Sequence, residues 1–145
     1  MEINIKKLDE RAVVPLYATE YSAGMDLYAI LDEEVTINPG ETIMISTGLA
    51  IETPIGYMSL IFARSGLASK KGLAPANKVG VVDADYRGEI KVALHNHSNE
   101  KQVVEPLERV AQLAVVPFLK VSFNIVDELN DTTRGIGGFG STGIK

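Results

Sequence analysis

The stretch Gly80-Val81-Val82-Asp83-Ala84-Asp85-Tyr86-Arg87-Gly88-Glu89-Ile90 decides how the rest of the chain is read. Beyond it, Ile90, Val92 and Leu94 alternate with Glu89, Lys91 and His95, the period of two that marks a strand with one buried face. Two carboxylates and a tyrosine sit between this strand and the apolar residues before it, so the segment predicts a β-hairpin with acid at its tip. A carboxylate on a rigid hairpin can act as a general base, because proton transfer needs the base held within hydrogen-bond reach of the reacting group. A solvated turn rich in Asp has the same local sequence, and these residues alone leave both readings open.

Working outward, Ile3 and Ile5 alternate with Asn4 and Lys6 and read as a first strand over 2–8, while Pro15 breaks the apolar residues 13–16. Ser22-Ala23-Gly24-Met25-Asp26-Leu27-Tyr28 carries a turn into a second apolar run. Asn38-Pro39-Gly40 separates Val35 and Ile37 from the run 43–51, and Thr53-Pro54-Ile55-Gly56 precedes the run 57–62; both are strong turn signals. Asn96-His97-Ser98-Asn99-Glu100 turns the chain again, and residues 109–118 and 120–126 read as two closing strands split by Pro117. Only Ser65-Gly66-Leu67-Ala68-Ser69-Lys70-Lys71-Gly72 suits a helix, of about two turns, with lysines in the last turn and Gly72 as the stop. Short strands separated by punctuation predict an all-β fold, a jelly-roll-like β-barrel or sandwich with one short helix.

At 145 residues the chain is expected to form one β domain over residues 1–130, large enough to bury a core without staples. The composition changes after Asn130: residues 131–145 hold five of the thirteen glycines and predict a flexible glycine-rich C-terminal arm. With no cysteine there is no disulfide framework, thiolate metal site or cysteine nucleophile. No segment resembles a signal peptide or reaches membrane-spanning length, and a cytoplasmic protein that meets no membrane is expected. A net charge of -5 argues against a nucleic-acid partner, which calls for a basic face. Any phosphate ligand must therefore meet local positive charge, backbone amides or a metal ion.

Three further segments carry polar chemistry. Residues 135–140 fit G-x-G-x-x-G and 138–143 fit G-x-x-x-x-G, but no βαβ unit surrounds them and Ile144 stands where a P-loop needs Lys, so neither nucleotide motif holds. The physics beneath them survives: glycine-rich backbone with Arg134, Ser141 and Thr142 offers many donors to an anion, against the ordinary reading of an idle terminus. Arg64-Ser65-Gly66 opens the short helix, where free amides favour anions, against a plain N-cap serine beside a surface arginine. Asp26 by itself reads as a turn residue, and His95 and His97 share a strand end without an obvious third metal ligand.

Taken together, Ala23-Gly24-Met25-Asp26-Leu27-Tyr28, Ala63-Arg64-Ser65-Gly66-Leu67-Ala68, residues 80–88, Arg109-Val110-Ala111-Gln112-Leu113 and residues 134–143 resemble, in order, the five motifs of the trimeric deoxyuridine triphosphatases (dUTPases). The resemblance covers essentially the whole chain. It implies a jelly-roll homotrimer with active sites at subunit interfaces, hydrolysing dUTP to dUMP and pyrophosphate with Mg²⁺. It implies that Asp83 is the base acting on the water that attacks the α-phosphorus, with Asp85 in support and Asp26 near the base and the hydrated metal. Tyr86 corresponds to the ring that packs on the deoxyribose and leaves no room for a 2′-hydroxyl. Asn77 corresponds to the amide that faces uracil.

By the same resemblance Arg64, Ser65 and Gly66 form the α/β-phosphate cradle joined by Gln112. Arg134, Gly140, Ser141 and Thr142 close over the γ-phosphate end, and Phe139 lies on the uracil ring. The metal is expected to be held by substrate phosphates and water, without direct protein ligands. Ala63 departs from the proline common before Arg-Ser-Gly, and Leu107 from the glycine common near Arg109; neither removes a chemical group. Two other readings share the scaffold. A dCTP deaminase would need a catalytic glutamate in the nucleobase pocket and would release ammonia; a non-catalytic nucleotide-binding protein would bind dUTP without turnover.

Overall fold

The computed structural model describes residues 1–138, and over them the short-strand pattern becomes eleven strands and one helix. In chain order these are β1 (Asn4–Lys7), β2 (Met25–Tyr28), β3 (Val35–Ile37), β4 (Thr42–Ser46), β5 (Leu49–Glu52), β6 (Tyr57–Phe62), α1 (Ser65–Lys71), β7 (Leu73–Pro75), β8 (Val79–Val82), β9 (Lys91–Asn96), β10 (Gln102–Val104) and β11 (Arg109–Pro117). All ladders are antiparallel. One sheet has the order β2-β11-β6-β8 and another β4-β9-β7, while β1 pairs with β5 and β3 with β10. Among the described residues these ladders do not join into a closed barrel, so the architecture is all-β and antiparallel with one short helix.

Alternation explains how the sheets share a core. On β9, Val92 and Leu94 face inward and Lys91 faces out; Ile45 and Leu73 of the flanking strands β4 and β7 join them in the core, as do Leu27, Ile37, Val104 and Val110 from the other sheets, all with almost no exposure. Among the described residues the one large polar side chain at zero exposure, Asn96, is matched on every side. Its Nδ2 donates to the carbonyls of Ile37 (2.9 Å) and Glu100 (2.7 Å), and its Oδ1 accepts from the Ser98 amide and hydroxyl. A buried amide satisfied in this way removes the desolvation cost that would otherwise oppose the fold.

Turn chemistry is as expected after β3 and before β6, where Gly40 and Gly56 take φ of 75° and 86°. The run 43–51, read as continuous, divides into β4 and β5 at Thr47-Gly48, with Gly48 at φ 65°. Helix α1 ends as predicted at Gly72, in the left-handed region, whose N–H donates to the Ala68 carbonyl at 3.1 Å. Its N-cap, however, is Arg64, with no side-chain cap, and Ser65 is the first helical residue.

Two expectations are corrected. The segment around Asp83 is not the tip of a hairpin: β8 pairs with β6, whereas β9 pairs with β4 and β7. A strand has two hydrogen-bonding edges, and both edges of β9 are occupied, so β8 is left to close the other sheet. Residues 83–90 therefore connect two sheets. Likewise, 120–126 is not a strand of this chain. Its alternating Val121, Phe123 and Ile125 are 67%, 93% and 96% exposed; the period is present, but no edge within the described residues receives it.

Candidate active site

Asp83 emerges from β8 into the wall of a cavity of about 530 Å³. Asn77, Gly80, Val81, Val82 and Tyr86 line it from the same stretch, and Glu89, Ile90 and Lys91 come from the far end of the connector. Asp85, the second carboxylate, is exposed and lies outside this lining. Asp83 is exposed as well, so what separates the two carboxylates is that only Asp83 borders the cavity.

The connector is held rigidly without a hairpin ladder. The Tyr86 amide donates to the Asp83 carbonyl at 3.2 Å, and the Arg87 guanidinium donates to the carbonyls of Ala84 (2.7 Å) and Tyr86 (3.0 Å) while reaching Glu52 at 3.2 Å. The Tyr86 hydroxyl donates to the Glu89 carbonyl at 3.0 Å. At its end the connector is tied to the loop between β4 and β5: Gly48 N–H donates to Glu89 Oε1 (2.9 Å), Thr47 Oγ1 to the Ile90 carbonyl (2.6 Å), and Ile90 N–H to the Leu49 carbonyl (2.8 Å). The main chain that carries Asp83 is therefore held in place by hydrogen bonds along the connector.

A second group of site residues forms where β2, β11 and β6 run side by side. Register places Gln112 opposite Asp26 on one side and Phe62 on the other, which brings the β6 exit, Ala63-Arg64, beside Asp26. Asp26 Oδ1 accepts from Arg64 Nε at 2.6 Å, and its Oδ2 from Arg109 Nη1 at 3.1 Å. Asp26 and Arg64 side chains are only 20% and 25% exposed, so this pair is better shielded than an ordinary surface bridge. Gln112 Nε2 donates to the Ala63 carbonyl at 2.9 Å, and its carboxamide lies over Gly24, where a Cβ would come within 3.2 Å of its Cδ. Ser65 and Gly66 follow at the exposed start of α1. The arrangement fixes Arg64 in direction and leaves two guanidiniums and the first helix amides for an anion.

Within one chain these two groups do not meet. Strand β8 runs antiparallel to β6 with Val82 opposite Ser59 and Val79 opposite Phe62. Asp83 thus leaves past one end of the ladder and Arg64 past the other, roughly 20 Å apart for extended chain. Of the arm residues, Arg134 is exposed and donates from Nε to the Gly137 carbonyl at 2.8 Å. Phe139, Gly140, Ser141 and Thr142 lie outside the described residues. His95 and His97 sit ring to ring at 4.4 Å, with His95 Nδ1 at 2.8 Å from the Thr42 hydroxyl. Burial holds the His97 imidazole below its ordinary range, helped by His95 and Lys78. Among the described residues no three potential ligand side chains converge on a metal position.

Arg109, Glu89 and Gly88 carry no assignable task in the sequence taken alone. The missing signal was register, since only the pairing of β11 with β2 shows that Arg109 reaches Asp26.

Comparison with known proteins fits this layout. The dUTPase family profile matches residues 10–143. The deoxyuridine 5′-triphosphate nucleotidohydrolase of Neisseria meningitidis serogroup B is 52% identical over 147 residues, covering 99% of this chain and 97% of that protein. A mutant dUTPase of Staphylococcus bacteriophage 80alpha, solved with dUpNHpp, is 29% identical with a TM-score of 0.87, covering 99% of each chain. A mutant dUTPase of phage phi11 of S. aureus, solved for its coordination of a structural Mg(II) ion, is 25% identical with a TM-score of 0.78 over 88% of this chain and 98% of that one. With the match running through both the Arg64 group and the Asp83 cavity, the chain belongs to the dUTPase family.

Proposed function

We infer that the chain hydrolyses dUTP to dUMP and pyrophosphate. The single observation that carries this reading is the cavity in which Asn77, Asp83 and Tyr86 share one wall, supplying an amide for a base edge, a carboxylate for a water and a ring for a sugar. Water adds to the α-phosphorus and gives its proton to Asp83 as the bond to the bridging oxygen breaks and pyrophosphate leaves. Tyr86 packs on the deoxyribose and Asn77 bonds the uracil edge, so that cytosine is rejected by donor mismatch and thymine by its methyl group. Arg64, Ser65, Gly66 and Gln112 hold the α- and β-phosphates. Arg134, Phe139, Gly140, Ser141 and Thr142 close over the nucleotide, and Asp85 and Asp26 act in support.

Mg²⁺ would arrive with the triphosphate. A donor set without a convergent cage of three ligand side chains among the described residues suits an ion carried by phosphate oxygens and water, with Asp83 reaching its water shell. When bound, it would neutralise charge on the phosphoryl oxygens alongside Arg64 and the first amides of α1.

The working unit is a homotrimer of jelly-roll-like subunits with sites between neighbours. The separation of Arg64 from Asp83 within one chain supports this, as does the exposed apolar series Val121, Phe123 and Ile125 beyond β11, which a neighbouring copy would cover.

Replacing Asp83 with Asn keeps the shape and removes the base. Pyrophosphate release from dUTP in Mg²⁺ is expected to fall by about 10²–10⁴-fold while nucleotide binding persists. Turnover near that of the unaltered protein would remove Asp83 from the role of base. Ammonia release from dCTP would instead favour the deaminase reading.

A further inference from the structure

We propose that Gly88 is a positioning residue for sugar discrimination: its missing side chain is the seat on which the Tyr86 ring rests. Gly88 does not take a left-handed φ, so its φ does not by itself call for glycine. Space is what requires glycine. A Cβ built on Gly88 would stand 2.5 Å from Tyr86 Cζ and 3.0 Å from Cε2, and closer still to the phenolic oxygen. The ring lies folded back across the Gly88 backbone with its hydroxyl bonded to the Glu89 carbonyl at 3.0 Å.

Glu89 in turn is fixed. Its Oε1 accepts from Gly48 N–H at 2.9 Å and its Oε2 lies 3.4 Å from Lys91 Nζ, while the next residue, Ile90, is buried and bonded through both backbone groups. Tyr86 has no comparable lock on its outer side, where it is 46% exposed. The ring is thus pinned at its hydroxyl end and supported from beneath by a surface that exists only while residue 88 lacks a side chain. Adding one methyl group breaks the hydroxyl bond and drives the ring off its seat and away from its place in the cavity lining, with the main chain undisturbed.

The inference rests on the reading of Tyr86 as the wall that faces the deoxyribose. A ring held in place excludes a 2′-hydroxyl; a ring displaced by about an ångström loses both its packing on the sugar and its exclusion of the hydroxyl, a scale of misplacement that costs up to ~10²-fold. Gly88→Ala is therefore expected to lower the ratio of kcat/KM for dUTP over UTP roughly 10- to 100-fold. KM for dUTP rises more than kcat falls, because Asp83 is not moved.

The test is a cycle of Gly88→Ala, Tyr86→Ala and the double variant, each assayed for pyrophosphate release from dUTP and UTP. If Gly88 acts through the ring, adding Gly88→Ala to Tyr86→Ala changes the selectivity ratio by less than about 2-fold. Independent, multiplying effects overturn the proposal, and so does a Gly88→Ala protein whose selectivity matches that of the unaltered chain. Unchanged selectivity in Tyr86→Ala alone overturns the underlying reading of Tyr86, a result distinct from either. Should Gly88→Ala lower the melting temperature, the double variant recovers it when the ring is what was displaced, and failure to recover also overturns the proposal.

Discussion

The Asp83 connector and the Arg64 cluster hold their functional groups by opposite means. Residues 83–90 are fixed by backbone bonds and by close packing on glycine, with the Asp83 carboxylate projecting from a scaffold tied at both ends. Arg64 and Arg109 are fixed by charge, through a single carboxylate that each of them shares. The difference suits what each must meet. A base and a sugar wall need position before substrate arrives, which packing provides. On the proposed reading, cations that receive a triphosphate need direction without neutralisation, and one Asp26 between two guanidiniums leaves a net positive charge for the ligand.

That the two regions lie at opposite ends of the β6–β8 ladder leads to the largest effect. An Asp83→Asn chain and an Arg64→Ala chain are each expected to be nearly inactive as pure trimers. If base and cradle come from different subunits, mixing the two by denaturation and refolding regenerates sites that are intact on both sides. For a cyclic trimer of randomly mixed chains these are about a quarter of all sites, so activity returns to roughly that fraction of the unaltered protein. A mixture that stays inactive would place both groups in one chain's site and break the contrast between them.

Asp26→Asn tests whether charge is what directs the cradle. The amide keeps size and one acceptor, but both guanidiniums lose their anion. Arg64 is then free to leave the direction in which its 2.6 Å bond holds it. A drop of about 10- to 100-fold in kcat/KM for dUTP is expected, carried by both parameters. The Asp83 cavity, which has no contact with Asp26, should still bind deoxyuridine as well as before. Unchanged turnover would show that packing alone orients Arg64, and the two regions would then be built alike.

How far the sequence discloses each region follows from the same physics. Strand ends are legible because the residues that stop strands are chemically distinct: Gly40 and Gly56 hold positive φ where turns were expected, and Gly72 stops α1. Motif residues are legible as a set because the family retains their order along the chain. Partnership is not legible. Alternation at Ile90, Val92 and Leu94 specifies a buried face but not which strand lies alongside, so the expected hairpin proves to be a link between sheets. Alternation at Val121, Phe123 and Ile125 likewise specifies a face to be buried, without saying against what. The Asp26–Arg109 contact depends on the register of β11, with a shift between Arg109 and Ala111, which no local pattern encodes.

The smallest effect concerns the turn that delivers Arg109. Leu107 takes φ 63°, a conformation that costs an L-residue with a Cβ about 1–2 kcal/mol and glycine nothing in sterics. The strain is held by the surroundings: Leu107 N–H donates to the Ala29 carbonyl and Ala29 N–H to the Glu108 carbonyl, both at 2.8 Å, joining the turn to the end of β2 two residues before β11 begins. The side chain is half exposed, so little packing is lost by removing it. Leu107→Gly is therefore expected to stabilise the protein by about 1 kcal/mol after the extra backbone entropy of glycine is set against the relieved strain, a rise in melting temperature of roughly 2–4 °C. Activity should stay within about 2-fold, because the turn keeps its shape and Arg109 its place. The connector offers no matching gain: among the described residues none of 83–90 has a positive φ, so glycine there answers to space and never to backbone. A Leu107→Gly protein that melts lower would mean that the leucine side chain, despite its exposure, holds the Arg109 turn by packing, as Gly88 and Tyr86 hold theirs.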